Sequence, residues 1–583
     1  MGLKPLPAKA ADSSFVVTDI ENRPDGSVIA IDTCWRNEDD ETTHHFTCDS
    51  WLAYWDWLFP LAIKYEKWRT IYAHNGGGWD WLSLVEFLLS ESGKGKARNL
   101  TAVCAGSKMV MLRVTIEHKC TITFCDSLQL LRSSLDKLAR SVLGKSKVEM
   151  PYENHLEMFN ADPVLFATYH RGDTELLLEI LEKCLEIVRS NVAEIDRFGY
   201  TIGSTAMKVF RTIGMENEIL IPQDPELKDL LREGYKGGRV EVFNSGYFDA
   251  VRVYDINSLY PAVMVSNHVP ISDRGEWVEK FMPNSVGVYR IAFRQHRTSI
   301  PPVLLVRGKG EYAGEGVYFS PEIELLKSVD PTAEIEVLTG FVFYDTEILF
   351  RDYVEKLYAL RLADSHGALS LMCKFLLNSL YGKFGQKAER EQIVKVDDWS
   401  ELCNMVDGGA VVTPLNIDAG IYGLKHATFC GHEHVGIAGI ITSAARVALY
   451  RGILSAWPNV AYCDTDSVHT IGCDLDSSKI SSKLGDFKLE FSGAGVYAGK
   501  KLYALRDEKG TEKIRAKGVS IGGRNGAAIG FDDLRLIAEG KVTGILCEFQ
   551  QPATPKQVFS GRNSCRFEPR RRTLRNTVNG RNG

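Results

Sequence analysis

No single hydrophobic core can enclose this chain. Cores stop growing near about 250 to 300 residues, and the sequence runs to 583, so two or more domains are required. Hydrophobic content of 44% and charged content of 25% lie near the averages for soluble globular proteins, which predicts that the bulk of the chain folds. No apolar run approaches the roughly 20 residues of a membrane span. The start, MGLKPLPAKAADSSF, lacks the apolar centre of a signal peptide. Work in the cytosol or with a virion is therefore expected, without a membrane partner. The 13 cysteines are scattered, with no CxxC pair, and are expected to be reduced core residues. Cys430, His432 and His434 are spaced unlike any standard zinc motif.

A net charge of −6 argues at first against a nucleic-acid partner, yet phosphate binding depends on local Lys and Arg. From Lys556 to Gly583 eight basic residues (Lys556, Arg562, Arg566, Arg570, Arg571, Arg572, Arg575, Arg581) face one acid, Glu568. That stretch can follow a phosphate backbone or stand as a solvated, frayed terminus.

The chain opens with two β-rich runs, SSFVVTDIE and VIAIDTCW, joined by the turn NRPDGS, so a β-hairpin is expected. An amphipathic helix near WLSLVEFLLSES, strands in MVMLRVTIE and CTITFCDS, and a long helix from about Pro163 to Val188 make a mixed α/β domain. Residues 190 to 250 read as a less regular connector containing GYKGGRVEVFNSG, where paired glycines suit a turn or close backbone approach. Beyond it, VRVYDINSLYP predicts a strand running into a helix, residues 350 to 385 two helices, and NVAYCDTDSVHTIG a hairpin.

Carboxylates mark several of these elements. Asp255 ends the strand of VRVYDINSLYP, and Ser258 is placed to cap the helix behind it. Asp464 and Asp466 stand at i and i+2 in the hairpin turn of AYCDTDSVHT, a strained place for like charges that a divalent cation would relieve. Nucleotidyl transfer requires such hard oxygen ligands, because it uses two Mg2+ ions about 4 Å apart. Asp255 and Asp466 are the best bridging ligands. In CKFLLNSLYGKFG, Lys374, Asn378 and Tyr381 share one helical face at i, i+4 and i+7. The lysine suits the triphosphate of a nucleotide and the tyrosine its base and sugar, with Gly382 ending the helix.

A second set lies in the first domain. Asp19 and Glu21 sit at i and i+2 on a strand and share a face. Asp80 follows the glycine turn of YAHNGGGWDW, and Tyr169 and Asp173 lie at i and i+4 on the long helix. Singly these motifs have ordinary explanations: DTDS is a common polar turn, NSLYG fits packing before a helix end, and acid pairs are frequent on surface strands.

Together and in order, they resemble a known family. DINSLYP, KFLLNSLYGKFG and YCDTDS look like the three polymerase motifs of family B DNA polymerases, and KKLY at Lys500–Tyr503 resembles the fourth. The pattern DxE, Nx(3)[FYW]D, YxxxD over residues 15 to 185 resembles the proofreading exonucleases fused to them. YAHNGGGWD, TIGSTAM and the YxGG-like Tyr235, Gly237 and Gly238 are similar to the protein-primed, tectivirus-like viral branch.

The resemblance implies a multidomain α/β and α+β fold, an RNase H-like 3′→5′ exonuclease domain followed by a right-hand polymerase of palm, fingers and thumb. The expected divisions are 1–190 for the exonuclease, 191–266 for the linker and first part of the palm, and 346–385 for the fingers. The rest of the palm takes 436–530 and the thumb with its basic tail 531–583. Residues 267–345 and 386–435 match insertions that contact a terminal protein and surround DNA, the second projecting as a β-hairpin.

By the same resemblance Asp255 and Asp466 are metal ligands with Asp464 in support, and Tyr260 excludes a 2′-hydroxyl. Lys374, with Arg361 as second cation, meets the triphosphate, and Lys501 and Tyr503 steady the primer terminus. Asp19, Glu21, Asp80 and Asp173 form the exonuclease cage, Tyr169 positions water, and Asn75, Trp79, Ser127 and Leu128 grip a frayed strand. Asn22 stands where many relatives have Thr, and the exonuclease lysine is Lys147 or Lys145.

The implied cofactor is Mg2+, two ions per site, with Mn2+ able to substitute. The implied partners are template and primer DNA, dNTPs and a terminal protein used as primer, with the enzyme acting as a monomer in host cytoplasm, nucleus or mitochondrion. Competing readings are a nucleic-acid-primed family B repair polymerase, a catalytically silent DNA-binding protein, and a stand-alone nuclease, which leaves DINSLYP and YCDTDS unexplained.

Overall fold

The computed structural model describes residues 2–8, 14–23, 25–37, 42–116, 120–364, 367–387, 389–396, 398–427, 431–522, 526–561 and 567–577. Cys430, Arg562, Arg566 and Arg581 lie outside the described residues.

The chain builds a mixed α/β first domain on the predicted hairpin. Strands Val16–Asn22 and Val28–Arg36 pair antiparallel, and Thr70–Ala73 lies parallel to both Val16–Asn22 and Thr121–Asp126. The alternation of strand side chains sends Val17, Cys34, Tyr72 and Cys125 to one face, against the long helix Pro163–Asn191. Asp162 caps that helix by accepting from the Leu165 amide at 2.9 Å, with Pro163 at its first position. Val16, Ile20 and Ile31 face the other way, onto helices Trp51–Lys64 and Asp80–Leu89.

Among the described residues this sheet reaches ten strands because the segment 386–435 joins its edge. Strand Glu389–Lys395 pairs with Asn99–Ala105 on one side and Ile421–Ala427 on the other, and Val411–Asn416 completes the extension. A hairpin is present there, together with helix Trp399–Asp407. Instead of projecting alone, it satisfies an otherwise open edge of the first domain and buries Ile393 and Ile421 in that domain's core.

A second sheet of seven antiparallel strands carries the DINSLYP and YCDTDS residues in the order Val240–Val242, Val460–Asp464, Ser467–Ile471, Gly246–Ile256, Phe487–Gly499, Leu502–Arg506, Glu512–Ala516. Behind it lies helix Val435–Ala456. Its mean hydropathy of 1.4 and 22 residues would suffice to cross a membrane, contrary to the expectation from sequence, but 83% of its apolar window is buried inside the fold. Arg446 interrupts the apolar run. It is buried and forms a 2.6 Å ion pair with Glu322, the geometry needed to offset the desolvation of two charges. Arg446 also donates to the carbonyls of Lys236 (2.7 Å) and Gly237 (3.0 Å), tying the connector to the core helix.

The connector is more regular than its composition suggests, with helices Ile202–Ile213 and Pro225–Gly234. Helices Arg351–Ala363 and Ala368–Ser379 form the predicted pair. Gly382 does not end the second of them: the helix breaks at Leu380 and a further turn runs Tyr381–Phe384, with Gly385 after it. Residues 267–345 carry a four-stranded sheet and helix Ser320–Val329.

At the C-terminal end, strand Ile545–Pro552 pairs with Phe567–Leu574, so the described part of the basic stretch is an ordered ribbon. Between the strands, helix Pro555–Phe559 returns to the first domain, where Val558 and Phe559 are buried in the same core as Trp81 and Leu84.

Candidate active sites

Two separate groups of carboxylates result. In the seven-stranded sheet, Asp255 and Asp464 both stand opposite Ser467, on the two strands that flank it. The turn between Asp464 and Ser467 requires Thr465 at φ +62°, and the Ile256 amide donates to the Asp466 carbonyl at 2.8 Å, joining this turn to the Asp255 strand. The connector braces the turn from outside. The Thr465 amide donates to the Arg239 carbonyl at 2.8 Å, and a Cβ at Gly238 would lie 3.0 Å from the Thr465 Cα, so glycine allows the approach. Gly237 is open on that side, and the Tyr235 ring packs against Gly385.

Burial pushes Asp255 up to about 7, with repulsion from Asp466 and then Glu490 adding to it. Asp466 is raised by burial and by Asp464 and Glu490. Half-buried carboxyls that repel each other in a cleft are the oxygen donors a hard divalent cation stabilises. Asp464 is held differently. Its Oδ1 accepts from Lys501 Nζ and from Thr465 Oγ1, each at 3.1 Å, and its Oδ2 accepts from the Tyr462 hydroxyl at 3.2 Å. Lys501 takes φ +55° in the turn before Leu502–Arg506, and Tyr503 is buried with its ring 5.1 Å from that of Tyr462.

Above the acids, the rings of Tyr260 and Tyr381 stack at 4.3 Å and 20°. Lys374 and Asn378 are exposed on the helix that leads to Tyr381, and Lys374 has no ion pair among the described residues. Ser258 does not cap its helix. It adopts φ +50°, and its hydroxyl instead accepts from Arg361 Nη1 at 2.7 Å, which docks Arg361 beside the Asp255 strand.

In the first domain, ligand oxygens of Asp19, Glu21 and Asp173 lie within 4.8 Å of one another. Burial raises Asp19 well above the usual carboxylate range, and Glu21, Asp80 and Asp173 raise it further. Asp80 is pushed up to about 8, chiefly by burial. Lys147 forms a 2.6 Å ion pair with Asp173 and lies 3.4 Å from the Tyr169 hydroxyl, whereas Lys145 pairs with Glu179 at 2.5 Å. Of the two lysines, Lys147 faces the acids. Burial pushes Tyr169 up to about 12.

The acids open into a cavity of about 1090 Å³ whose walls include Asn22, Asn75, Trp79 and Tyr169. Both polar atoms of the Asn22 amide are buried there without a hydrogen-bond partner among the described residues. Ser127 and Leu128 are not among its lining residues; Ser127 is buried, its hydroxyl bonded to the Ala73 carbonyl and the His74 ring.

Four contributors carried no local sequence signal. His155 forms a 2.5 Å contact with Glu21, Glu490 lies near Asp255, and Gln550 and Gln551 of the C-terminal ribbon line the first cavity. Each comes from an element far along the chain, brought in by tertiary packing.

The chain is similar to DNA polymerases. The family described as DNA polymerase type B, organellar and viral, matches residues 166–421. The DNA-directed DNA polymerase of Enterobacteria phage PRD1 is 28% identical over 471 residues, covering 78% of this chain and 77% of that protein. The DNA polymerase of Bacillus phage phi29 is 24% identical over 424 residues, covering 68% and 69% respectively. The solved structure of phi29 DNA polymerase with primer-template DNA and incoming nucleotide superimposes with a TM-score of 0.73 at 18% identity, over 96% of this chain and 100% of that one.

Proposed function

We propose that the chain is a DNA-directed DNA polymerase of type B, of the organellar and viral class, that it also removes nucleotides 3′→5′ at a second site, and that it starts synthesis on a protein hydroxyl. The observation that carries the two-activity reading is the pair of acid groups on different sheets, one around Asp255 and Asp466, the other around Asp19, Glu21 and Asp173. On this reading residues 1–190 are the exonuclease, 346–385 the fingers, 436–530 most of the palm, and 531–583 the thumb. Residues 267–345 and 386–435 meet a terminal protein and the duplex.

At the polymerase site Asp255 and Asp466 hold divalent cations, and Asp464 anchors Lys501 next to them. Mg2+, or Mn2+ in its place, supplies Lewis acidity to the attacking and departing oxygens. Lys374 and Arg361 meet the triphosphate and Asn378 lines its path, while Lys501 and Tyr503 steady the primer terminus. In the exonuclease, Asp19, Glu21, Asp80 and Asp173 are the cage. Tyr169, oriented by Lys147, positions water, and Asn75 and Trp79 grip the frayed strand by hydrogen bonding and stacking. Ser127 and Leu128 support that wall from behind.

Tyr260, fixed by its stack on Tyr381, closes the space beside the nucleotide sugar, so it rejects a 2′-hydroxyl by steric cost. Tyr260→Val is expected to raise the use of ribonucleotides about 10- to 200-fold relative to dNTPs, the range a pocket enforces through one small group. Steady-state incorporation of matched dNTP and rNTP pairs checks this, and an unchanged preference rules the role out.

Protein priming is tested by incubating the enzyme and labelled dNTPs with the products of neighbouring reading frames and the genome ends. A nucleotide–protein adduct that survives denaturation and nuclease treatment supports the proposal. Synthesis confined to nucleic-acid primers would favour a repair polymerase.

A further inference from the structure

The strand Glu512–Ala516 forms one edge of the seven-stranded sheet, and it carries an unexplained row of cations. Lys513 and Arg515 alternate along it and Lys517 follows, all three exposed. None has an acidic partner among the described residues, while Glu512 is engaged by Arg506 at 2.7 Å. Residues two apart on a strand share a face and stand about 6.6 Å apart.

The face they share is the one that bears the acids. Arg515 stands opposite Tyr503, and the Lys517 amide donates to the Lys501 carbonyl at 3.0 Å. A cavity of about 630 Å³ has Asp464, Lys501, Tyr503, Lys513, Arg515 and Lys517 in its lining, with Glu512, already engaged by Arg506, at its rim. Ile514 and Ala516 alternate with the cations, border the same cavity and pack against the core of helix Phe531–Ala538. Beyond Lys517, the Arg572 guanidinium from the C-terminal ribbon contacts the position where a Cβ of Gly518 would stand.

Edge strands often carry lysines merely to discourage pairing with other chains. That role asks for charge anywhere on the edge. It does not explain cations on a single face, aligned with Lys501 and Tyr503 and extended by an arginine from another element.

We propose that Lys513, Arg515 and Lys517, continued by Arg572, form a phosphate-tracking rail that holds the strand being extended as it leaves the polymerase acids. A DNA strand advances about 3.4 Å per phosphate along the axis while its backbone winds round that axis, so neighbouring phosphates stand farther apart than the rise and cations about 6.6 Å apart can meet successive ones. The rail rests on the polymerase reading of the Asp255 site and deepens it, because it assigns the path of the product strand.

The test measures primer-template affinity against salt for the parent and for Lys513→Ala/Arg515→Ala/Lys517→Ala. Each lost phosphate contact lowers the slope of log K against log salt by about 0.9, so the triple variant is expected to lose about 2.7. Between 50 and 200 mM salt the parent's affinity then falls about 40-fold more than the variant's. The dNTP KM stays unchanged, because the rail touches no nucleotide. Lys94→Ala/Lys183→Ala/Lys228→Ala, which removes the same charge elsewhere, is expected to keep the parent's slope.

Primers with methylphosphonate linkages near the 3′ end identify the strand. They are expected to give the parent the variant's slope and to leave the variant unaffected. An unchanged slope in the rail variant, or an effect confined to methylphosphonates in the template, overturns the proposal. If the parent neither binds nor extends a primed template, the polymerase reading fails first, and the two failures are thereby distinguished.

Discussion

Replacing Asp255 or Asp466 by Ala is expected to lower dNTP incorporation at least about a thousandfold, a loss of roughly 4 kcal/mol of transition-state stabilisation, while degradation of single strands by the same variants keeps most of its rate. The physical ground is separation. Asp255 and Asp466 belong to the seven-stranded sheet, and the second acid group to the ten-stranded one. The repulsion that raises Asp255 and Asp466 comes chiefly from local acids, Asp466 and Glu490 for the first and Asp464 and Glu490 for the second. Removing one relieves its neighbour, so the variants are expected to melt no lower than the parent. Primer extension and digestion of a labelled single strand, run on the same preparation with a melting curve, check the three statements together. Equal loss of both activities in a folded variant would mean that one site serves both reactions, and the division proposed for the molecule would fall.

Legibility in the sequence followed the range of the interaction that decides each position. Asp19 with Glu21 and Asp464 with Asp466 were legible because a spacing of two on or beside a strand fixes the shared face locally. Tyr169 and Asp173 were legible for the same reason on a helix. Lys147 and Lys145 could not be separated, since both sit two residues apart in one irregular segment, and only packing against Pro163–Asn191 sends one to Asp173 and the other to Glu179. The two connector helices did carry local signals. Thr201 and Ser204 make a capping box, and Asp224 caps a helix that begins with Pro225.

Other differences arose where a tertiary partner overrode a local preference. Ser258 is a good capping residue by type, yet a guanidinium from a distant helix takes its hydroxyl. The hairpin in 386–435 was legible as alternation, but strand pairing with Asn99–Ala105 leaves no trace in either segment, because backbone hydrogen bonds are indifferent to side-chain identity. Helix Val435–Ala456 is not legible as one apolar run because Arg446 splits it, and the Glu322 that makes this arginine tolerable is remote in sequence.

Asp80→Ala is expected to abolish the exonuclease, by about a thousandfold or more, and at the same time to reduce how strongly the protein depends on Mg2+ for stability. Burial and mutual repulsion raise Asp19, Asp80 and Asp173, with Asp80 reaching about 8 from an ordinary 3.8. A carboxyl raised in the folded state stays protonated there while the unfolded chain has already released its proton. The unfolded state then binds fewer protons, so stability falls as pH rises, across the window from 3.8 to about 8 for Asp80. A cation that binds the ionised acids offsets this loss, and the protection it gives grows with pH over the same window. Measured in an Asp255→Ala background, so that the polymerase acids contribute little, Mg2+ should raise Tm more at pH 8 than at pH 5.5. Asp80→Ala should shrink that difference, and its metal-free Tm at pH 8 should match or exceed that of its background. A labelled primer with a terminal mismatch supplies the functional readout in Asp80→Ala alone, where the mismatch is extended instead of removed. Continued removal of the mismatch by a folded Asp80→Ala protein would exclude Asp80 from the cage. A Tm response to Mg2+ that is identical with and without Asp80 would show that Asp80 takes no part in holding a cation beside Asp19, Glu21 and Asp173.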